Sequence, residues 1–267
     1  MQPNTYWLHF HSMDQFIKIN SLKKIFGEGE DEVHAFGPVD ISIKSGEFVS
    51  VLGPSGCGKS TLMLMMAGLL EPTSGDISFD GKSVSGPKND IGIMFQDNTL
   101  VPWRTVEGNI KLQLELRNLD INQYKDKILN ILKSVKLEDF SNRYPSELSG
   151  GMQQRAAFCQ AMIHEPNTIL LDEPLGKLDA MTREKIRSDI QNLWMINKPT
   201  VIFVTHSIEE AVQLSSRVIL ISPRPGIVDR EINIDLPYPR DLSVKRSNKF
   251  FEYVHEIQEV FHEYGVI

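Results

Sequence analysis

One octapeptide constrains the fold of this chain more than any other stretch: Gly53-Pro54-Ser55-Gly56-Cys57-Gly58-Lys59-Ser60, followed by Thr61. It fits the pattern G-x-x-x-x-G-K-[ST]. It lies between an apolar run, Phe48–Leu52, and a stretch of helical character at residues 60–70. The run is broken only by Ser50, as expected of a strand buried on both faces of a parallel sheet. In such a loop the glycines let backbone N–H groups turn onto phosphate oxygens, and the following helix start adds positive potential. Lys59 is then within reach of β- and γ-phosphates, and Ser60 of a Mg²⁺ ion. Chance alone places this pattern in roughly one per cent of chains of this length, and the strand–loop–helix context lowers that further.

The rest of the chain supplies a sheet around that loop. Residues 16–26 open with β-rich apolar character, and Val39, Ile41 and Ile43 alternate with polar neighbours as a half-buried strand does. Short strands are expected at residues 76–79 and 91–95, with Asp80-Gly81 as the turn after the first. From Pro102 to Pro166 the periodicity becomes helical. Ile121, Tyr124, Ile128, Leu132 and Val135 share one face, and Met152, Ala156, Cys159 and Ile163 share another. Strands follow at 168–171, 200–204 and 217–221, with helices at 181–196 and 207–215. Alternating strands and helices predict a parallel sheet with crossovers, and the helical stretch reads as an insertion into it. Pro223-Arg224-Pro225-Gly226 breaks the alternation, and residues 248–264 form a final amphipathic helix. Residues 1–12 carry no pattern; they read as a dispensable extension, with Met13 an alternative start.

Two further motifs carry chemistry. Ile169-Leu170-Leu171-Asp172-Glu173-Pro174 delivers two carboxylates to the C-terminal end of a strand, where ligands sit in parallel sheets. Asp172 is placed for a Mg²⁺ shell, and Glu173 to polarise an attacking water as general base. Leu148-Ser149-Gly150-Gly151-Met152-Gln153-Gln154-Arg155 matches LSGGxQxR at six positions, a chance event on the order of one in tens of thousands of chains. A serine hydroxyl, exposed N–H groups and a helix start make it a second anion site.

With these motifs the chain resembles an ATP-binding-cassette (ABC) ATPase over residues 16–234. The resemblance implies an α/β P-loop fold: a RecA-like, mainly parallel core, an antiparallel β subdomain, and a helical subdomain at about residues 98–165 inserted in a cassette of residues 13–240. Residues 241–267 then form a C-terminal helix. It also implies ATP and Mg²⁺ as ligands, and a homodimer closing head to tail on two nucleotides. Ser149, Gly150 and Gly151 would cap the ATP held by the partner's Walker A loop. Gln96 is similar to the Q-loop glutamine that contacts Mg²⁺ and water, His206 to the switch histidine at the γ-phosphate, Asp179 to the D-loop aspartate at the dimer interface, and Phe26 to the aromatic that stacks on adenine. Lys177 departs from the small residue usual before that aspartate.

Composition decides between kinds of cassette. A net charge of −7 argues against a nucleic-acid binder with a broad basic surface. The longest apolar run, residues 62–70, is far short of the ~20 residues that span a bilayer. Two cysteines without ligand spacing fit a reduced compartment, and the first residues do not read as a secretory signal. A single cassette without a long regulatory extension resembles the separate ATPase subunit of a bacterial importer, peripheral on the cytoplasmic face of the inner membrane. The implied partners are two permease subunits and an extracytoplasmic solute-binding protein. Asp97-Asn98-Thr99-Leu100-Val101-Pro102-Trp103-Arg104-Thr105-Val106 and Ser222-Pro223-Arg224-Pro225-Gly226 are similar to ATPases serving importers of nitrate, sulfonates, taurine and pyrimidine precursors. Within the first, Val101-Pro102-Trp103 reads either as a permease-docking loop or as a local hydrophobic plug. The alternative left open is a non-transport cassette acting on nucleic acid or ribosomes.

Overall fold

The protein is described by a computed structural model covering residues 16–97, 99–176 and 178–266. The N-terminal extension, Met13, Asn98 and Lys177 lie outside the described residues. The strands are β1 (Ile17–Phe26), β2 (Val33–Ile43), β3 (Phe48–Leu52), β4 (Ser74–Phe79), β5 (Lys82–Ser83), β6 (Ile91–Met94), β7 (Thr168–Asp172), β8 (Thr200–Thr205), β9 (Arg217–Ile221) and β10 (Val228–Asn233). The helices are α1 (Lys59–Met66), α2 (Val106–Glu115), α3 (Lys125–Ser134), α4 (Gly150–Met162), α5 (Ala180–Asn197), α6 (Ile208–Leu214), α7 (Leu242–Lys245) and α8 (Asn248–Glu263).

Two sheets result. One is antiparallel, in the order β2-β1-β4-β5; the other has the order β10-β9-β3-β8-β7-β6. In the second, β9, β3, β8, β7 and β6 run parallel and β10 is antiparallel to β9. Every residue of β3, β7 and β8 is buried, as a central parallel strand requires. Period-2 alternation sends their side chains to opposite faces. Val49, Val51, Ile202 and Val204 join α1 and the antiparallel sheet in one apolar cluster. Phe48 and Phe203 join α2, α4 and α5 in a second. A third cluster lies under α6 and α8, with Phe250, Ile257, Val260 and Phe261 facing it.

Several elements depart from the sequence-based expectation. The helix expected at residues 60–70 ends at Met66. Gly68 forces this: its φ is +70°, and a Cβ there would sit 1.9 Å from the Gly86 carbonyl oxygen. Helix α4 is buried on most of its surface rather than along one face, because the sheet edge, α2, α3 and α5 surround it. Strand β10 continues the sheet after the proline-rich turn, and β5 and α7 are likewise additional to the expected elements. They are short or highly charged, so periodicity does not mark them.

Candidate functional site

Strand register assembles the site. Met94 of β6 lies beside Leu171 of β7, and Asp172 beside Val204 of β8. The residues just past these strand ends, Gln96, Glu173 and His206, are therefore neighbours. Gln96 Nε2 donates to Glu173 Oε2 at 3.2 Å, and His206 Nδ1 stands 3.2 Å from the same oxygen. Glu173 is mostly buried and has φ +42°, a left-handed conformation that disfavours a side chain. Its N–H is tied to the Val204 carbonyl at 2.9 Å, which holds the strained residue in place. His206 sits in a turn braced from below: Thr205 Oγ1 donates to Glu210 Oε2 at 2.7 Å, and the Ser207 N–H donates to Thr205 Oγ1 at 3.0 Å.

The Walker A loop faces this group. Gly58 caps α1 with φ +98°, and a Cβ on it would meet the Ala35 carbonyl oxygen at 2.5 Å. Gly53 is as confined, since its Cβ would meet Ile221 O at 2.8 Å and Cys57 Sγ at 2.9 Å. The Lys59 ammonium is buried and donates to the carbonyls of Gly53 and Pro54, both at 2.9 Å. Burial pushes the Cys57 thiol up, so it stays protonated beside that ammonium. A cleft of roughly 360 Å³ is lined by Gln96 and Glu173, by Ser55, Gly56, Gly58, Lys59, Ser60 and Thr61 of the loop and helix start, and by Phe26 and Ala35. Phe26 is 44% exposed, so it is a rim residue rather than a core one.

The donor set suits a Mg²⁺ ion. Asp172 Oδ1 is buried without a hydrogen-bond partner. Burial holds the Asp172 carboxyl above the ordinary range; the Ser60 hydroxyl opposes the shift, the Glu173 charge adds to it and the Lys59 charge opposes it. One buried, unpaired carboxylate oxygen beside a serine hydroxyl is what Mg²⁺ takes when phosphates and water supply its other ligands. Among the described residues no group of three His, Cys, Asp or Glu could hold a metal by itself.

Ser149, Gly150, Gly151 and Asp179 do not line this cleft. They form a second, separate patch. Ser149 Oγ caps α4 by accepting from Met152 N at 3.4 Å, and Asp179 Oδ1 caps α5 by accepting from Thr182 N at 3.0 Å. The two helix starts touch where a Cβ on Gly151 would lie 2.3 Å from Thr182 Cγ2. Thr182 donors hold the Asp179 carboxyl below the usual range, so it stays ionised. Trp103 is 77% exposed, which excludes the hydrophobic-plug reading. Arg224 also lines the cleft, a placement sequence reasoning missed because its segment registered only as a break in the pattern.

A P-loop after a central strand of a parallel sheet, facing a glutamine, a glutamate and a histidine from three adjacent strand ends, defines a nucleoside-triphosphate hydrolase. The chain matches the ABC transporter family over residues 36–176 and belongs to it; it is an ABC ATPase. It is 41% identical over 249 residues to the aliphatic sulfonates import ATP-binding protein SsuB of Bacillus cereus, covering 93% of this chain and 96% of that one. It is 39% identical over 250 residues to the nitrate import ATP-binding protein NrtD of Synechocystis, covering 91% and 94%. Among solved structures it is similar to a dimeric post-hydrolysis state of the ATP-binding cassette MJ0796 bound to ADP and Pi, with a TM-score of 0.72, 34% identity, and 82% of this chain and 98% of that one covered.

Proposed function

We propose that the chain is the ATPase subunit of an importer for small oxyanionic solutes of the nitrate, sulfonate or taurine kind. Two copies close around two ATPs on the cytoplasmic face of the membrane and drive two permease subunits, to which an extracytoplasmic binding protein delivers the solute. The observation that carries the catalytic part is the convergence of Gln96 and His206 on one oxygen of Glu173, at 3.2 Å each, over the P-loop. The similarity to SsuB and NrtD over more than nine-tenths of the chain supports the importer part.

The mechanism follows from these side chains. The loop N–H groups and Lys59 hold the phosphates, and Phe26 stacks on the base. Ser60, Asp172 and Gln96 would hold Mg²⁺, which neutralises phosphate charge when bound. Glu173 takes the proton of the attacking water. His206 orients Glu173 and meets the γ-phosphate. Ser149, Gly150 and Gly151 of one copy, with Asp179 at the seam, close the other copy's cleft. No helix among the described residues is long and apolar enough to cross a membrane, so attachment runs through permease contacts at the exposed Trp103 loop.

Glu173→Gln tests the catalytic reading. It keeps shape and removes the charge that polarises water, so turnover falls by ~10²–10⁴-fold while ATP affinity survives. Hydrolysis near the wild-type rate rejects the assignment. Co-purification of the wild-type chain with hydrophobic permease subunits tests the importer reading, and recovery on ribosomes or nucleic acid instead overturns it.

A further inference from the structure

The turn between β9 and β10 is built into the wall of the nucleotide cleft. Gly226 lies so close to the Walker A loop that a Cβ on it would fall 1.9 Å from the Cys57 carbonyl oxygen. The Gly226 carbonyl accepts from Gly37 N at 2.8 Å, and the residue bridges to Phe36, next to the cleft-lining Ala35. Ser222 Oγ ties the turn internally: it donates to the Pro223 carbonyl at 3.1 Å and accepts from Ile227 N at 3.2 Å. Pro223 and Pro225 fix φ on either side of Arg224. The backbone carrying Arg224 is therefore held against both the phosphate loop and the strand that precedes the cleft's base end. Arg224 lines the cleft and makes no ion pair or hydrogen bond among the described residues.

A guanidinium carried on an anchored turn at a phosphate cleft, making no ion pair among the described residues, suits a phosphate oxygen pair. On the reading proposed above, Glu173 and Gln96 meet the γ-phosphate and Phe26 the base, and all three line the cleft together with Arg224. The turn enters beside Phe36, next to the cleft-lining Ala35, and its Gly226 abuts the Cys57 carbonyl two residues before Lys59. We propose that Arg224 is a second phosphate-binding cation of the cleft, directed at the α-phosphate, which rests on the reading that this cleft takes Mg-ATP. Lys59 then serves the β- and γ-phosphates, and Arg224 holds the end of the chain that stays bound after hydrolysis.

Calorimetric titration of the full chain with Mg-ATP, Mg-ADP and adenosine tests this. Arg224→Ala weakens ATP and ADP alike by about 10-fold, the effect of one charge-assisted contact at a partly open site. Arg224→Lys recovers part of that loss, and adenosine affinity is unchanged. Unchanged ADP affinity in Arg224→Ala overturns the proposal. A loss confined to ATP overturns it by placing the side chain at the γ-phosphate, and an equal loss for adenosine by placing it at the ribose or base. The cleft reading is judged separately: wild-type binding of Mg-ATP that disappears in Lys59→Ala upholds it whatever Arg224 does. A wild-type chain that binds no Mg-ATP overturns both.

Discussion

Surroundings differ sharply between neighbouring side chains in this molecule. Asp172 and Glu173 are consecutive, yet one is shut in beside Ser60 and Lys59 and the other opens onto the cleft. A residue outside the nucleotide site offers a cleaner reading of the same physics. His164 follows α4, and both ring nitrogens are shut off from solvent. Burial, followed by the Arg117 charge, pushes its pKa down to about 4; the Ile91 backbone and Asp90 pull the other way and do not restore it. Glu165 lines the same recess. In the unfolded chain the imidazole takes a proton near pH 6.5. Between pH about 4 and 6.5 the unfolded state binds more protons than the folded one, so stability rises with pH across that window. The contribution is present above the unfolded pKa and is lost as pH falls towards 4. His164→Gln removes this proton uptake. From pH about 7 to about 5 the wild type should lose of order 1 kcal/mol more stability than the variant, once solvent screening is allowed for. Urea unfolding at the two pH values measures it, and parallel losses would show that the imidazole is not protonated on unfolding.

At the scale of elements, the loop that presents Trp103 is held by one buried amide. Asn109 of α2 accepts from Val101 N at 2.6 Å through Oδ1, and its Nδ2 donates to the carbonyls of Val101, Arg104 and Thr105 at 3.0–3.1 Å. Thr105 Oγ1 caps α2 by accepting from Gly108 N at 3.1 Å. Presentation and contact are thereby separable. Trp103→Ala should leave thermal stability and basal ATPase nearly unchanged, because the side chain is exposed, yet lose permease association. Asn109→Leu leaves several backbone groups unpaired and should cost at least about 2 kcal/mol. Amide exchange should rise in residues 101–105 while β3 stays protected. An Asn109→Leu chain with wild-type exchange in that loop would refute the amide's role. Elements of this kind mark the limit of what sequence shows. Residues 48–52 and 168–171 were legible as strands because burial on both faces leaves a continuous apolar run. The P-loop, the carboxylate pair and the LSGG stretch were legible because their chemistry demands fixed spacing. The end of α1 was not, since the obstacle to Gly68 is the Gly86 carbonyl, eighteen positions along the chain. Arg224 was not, because a long-range approach of Gly226 to Cys57, rather than any local pattern, brings it to the cleft.

On the scale of the whole molecule, one chain displays a nucleotide cleft and a separate patch at the starts of α4 and α5 that does not line it. Ser149, Gly150 and Asp179 are exposed, and none of them lines the cleft of its own chain. On the proposed reading a two-fold axis resolves this, since an isologous pair would set each patch over the other's cleft and leave neither unused. The similar cassette bound to ADP and Pi is a dimer. Each chain carries a net charge of −7, so two copies repel, and bound nucleotide adds negative charge that Mg²⁺ only partly offsets. Closure should therefore depend on the contacts that bound nucleotide makes to the partner's patch, and should strengthen as salt shortens the screening length to about 10 Å at 0.1 M. Glu173→Gln traps this state by stopping hydrolysis. Gel filtration of that variant should give a monomer without nucleotide and a dimer with Mg-ATP, the dimer fraction rising from low to moderate salt. Adding Ser149→Arg puts a bulky cation where the partner's phosphates would lie and removes a helix cap worth about 1 kcal/mol. It should abolish the dimer while lowering thermal stability only slightly. A Glu173→Gln chain that stays monomeric under saturating Mg-ATP, or a Ser149→Arg double variant that still dimerises, would remove the basis for pairing the two patches across chains.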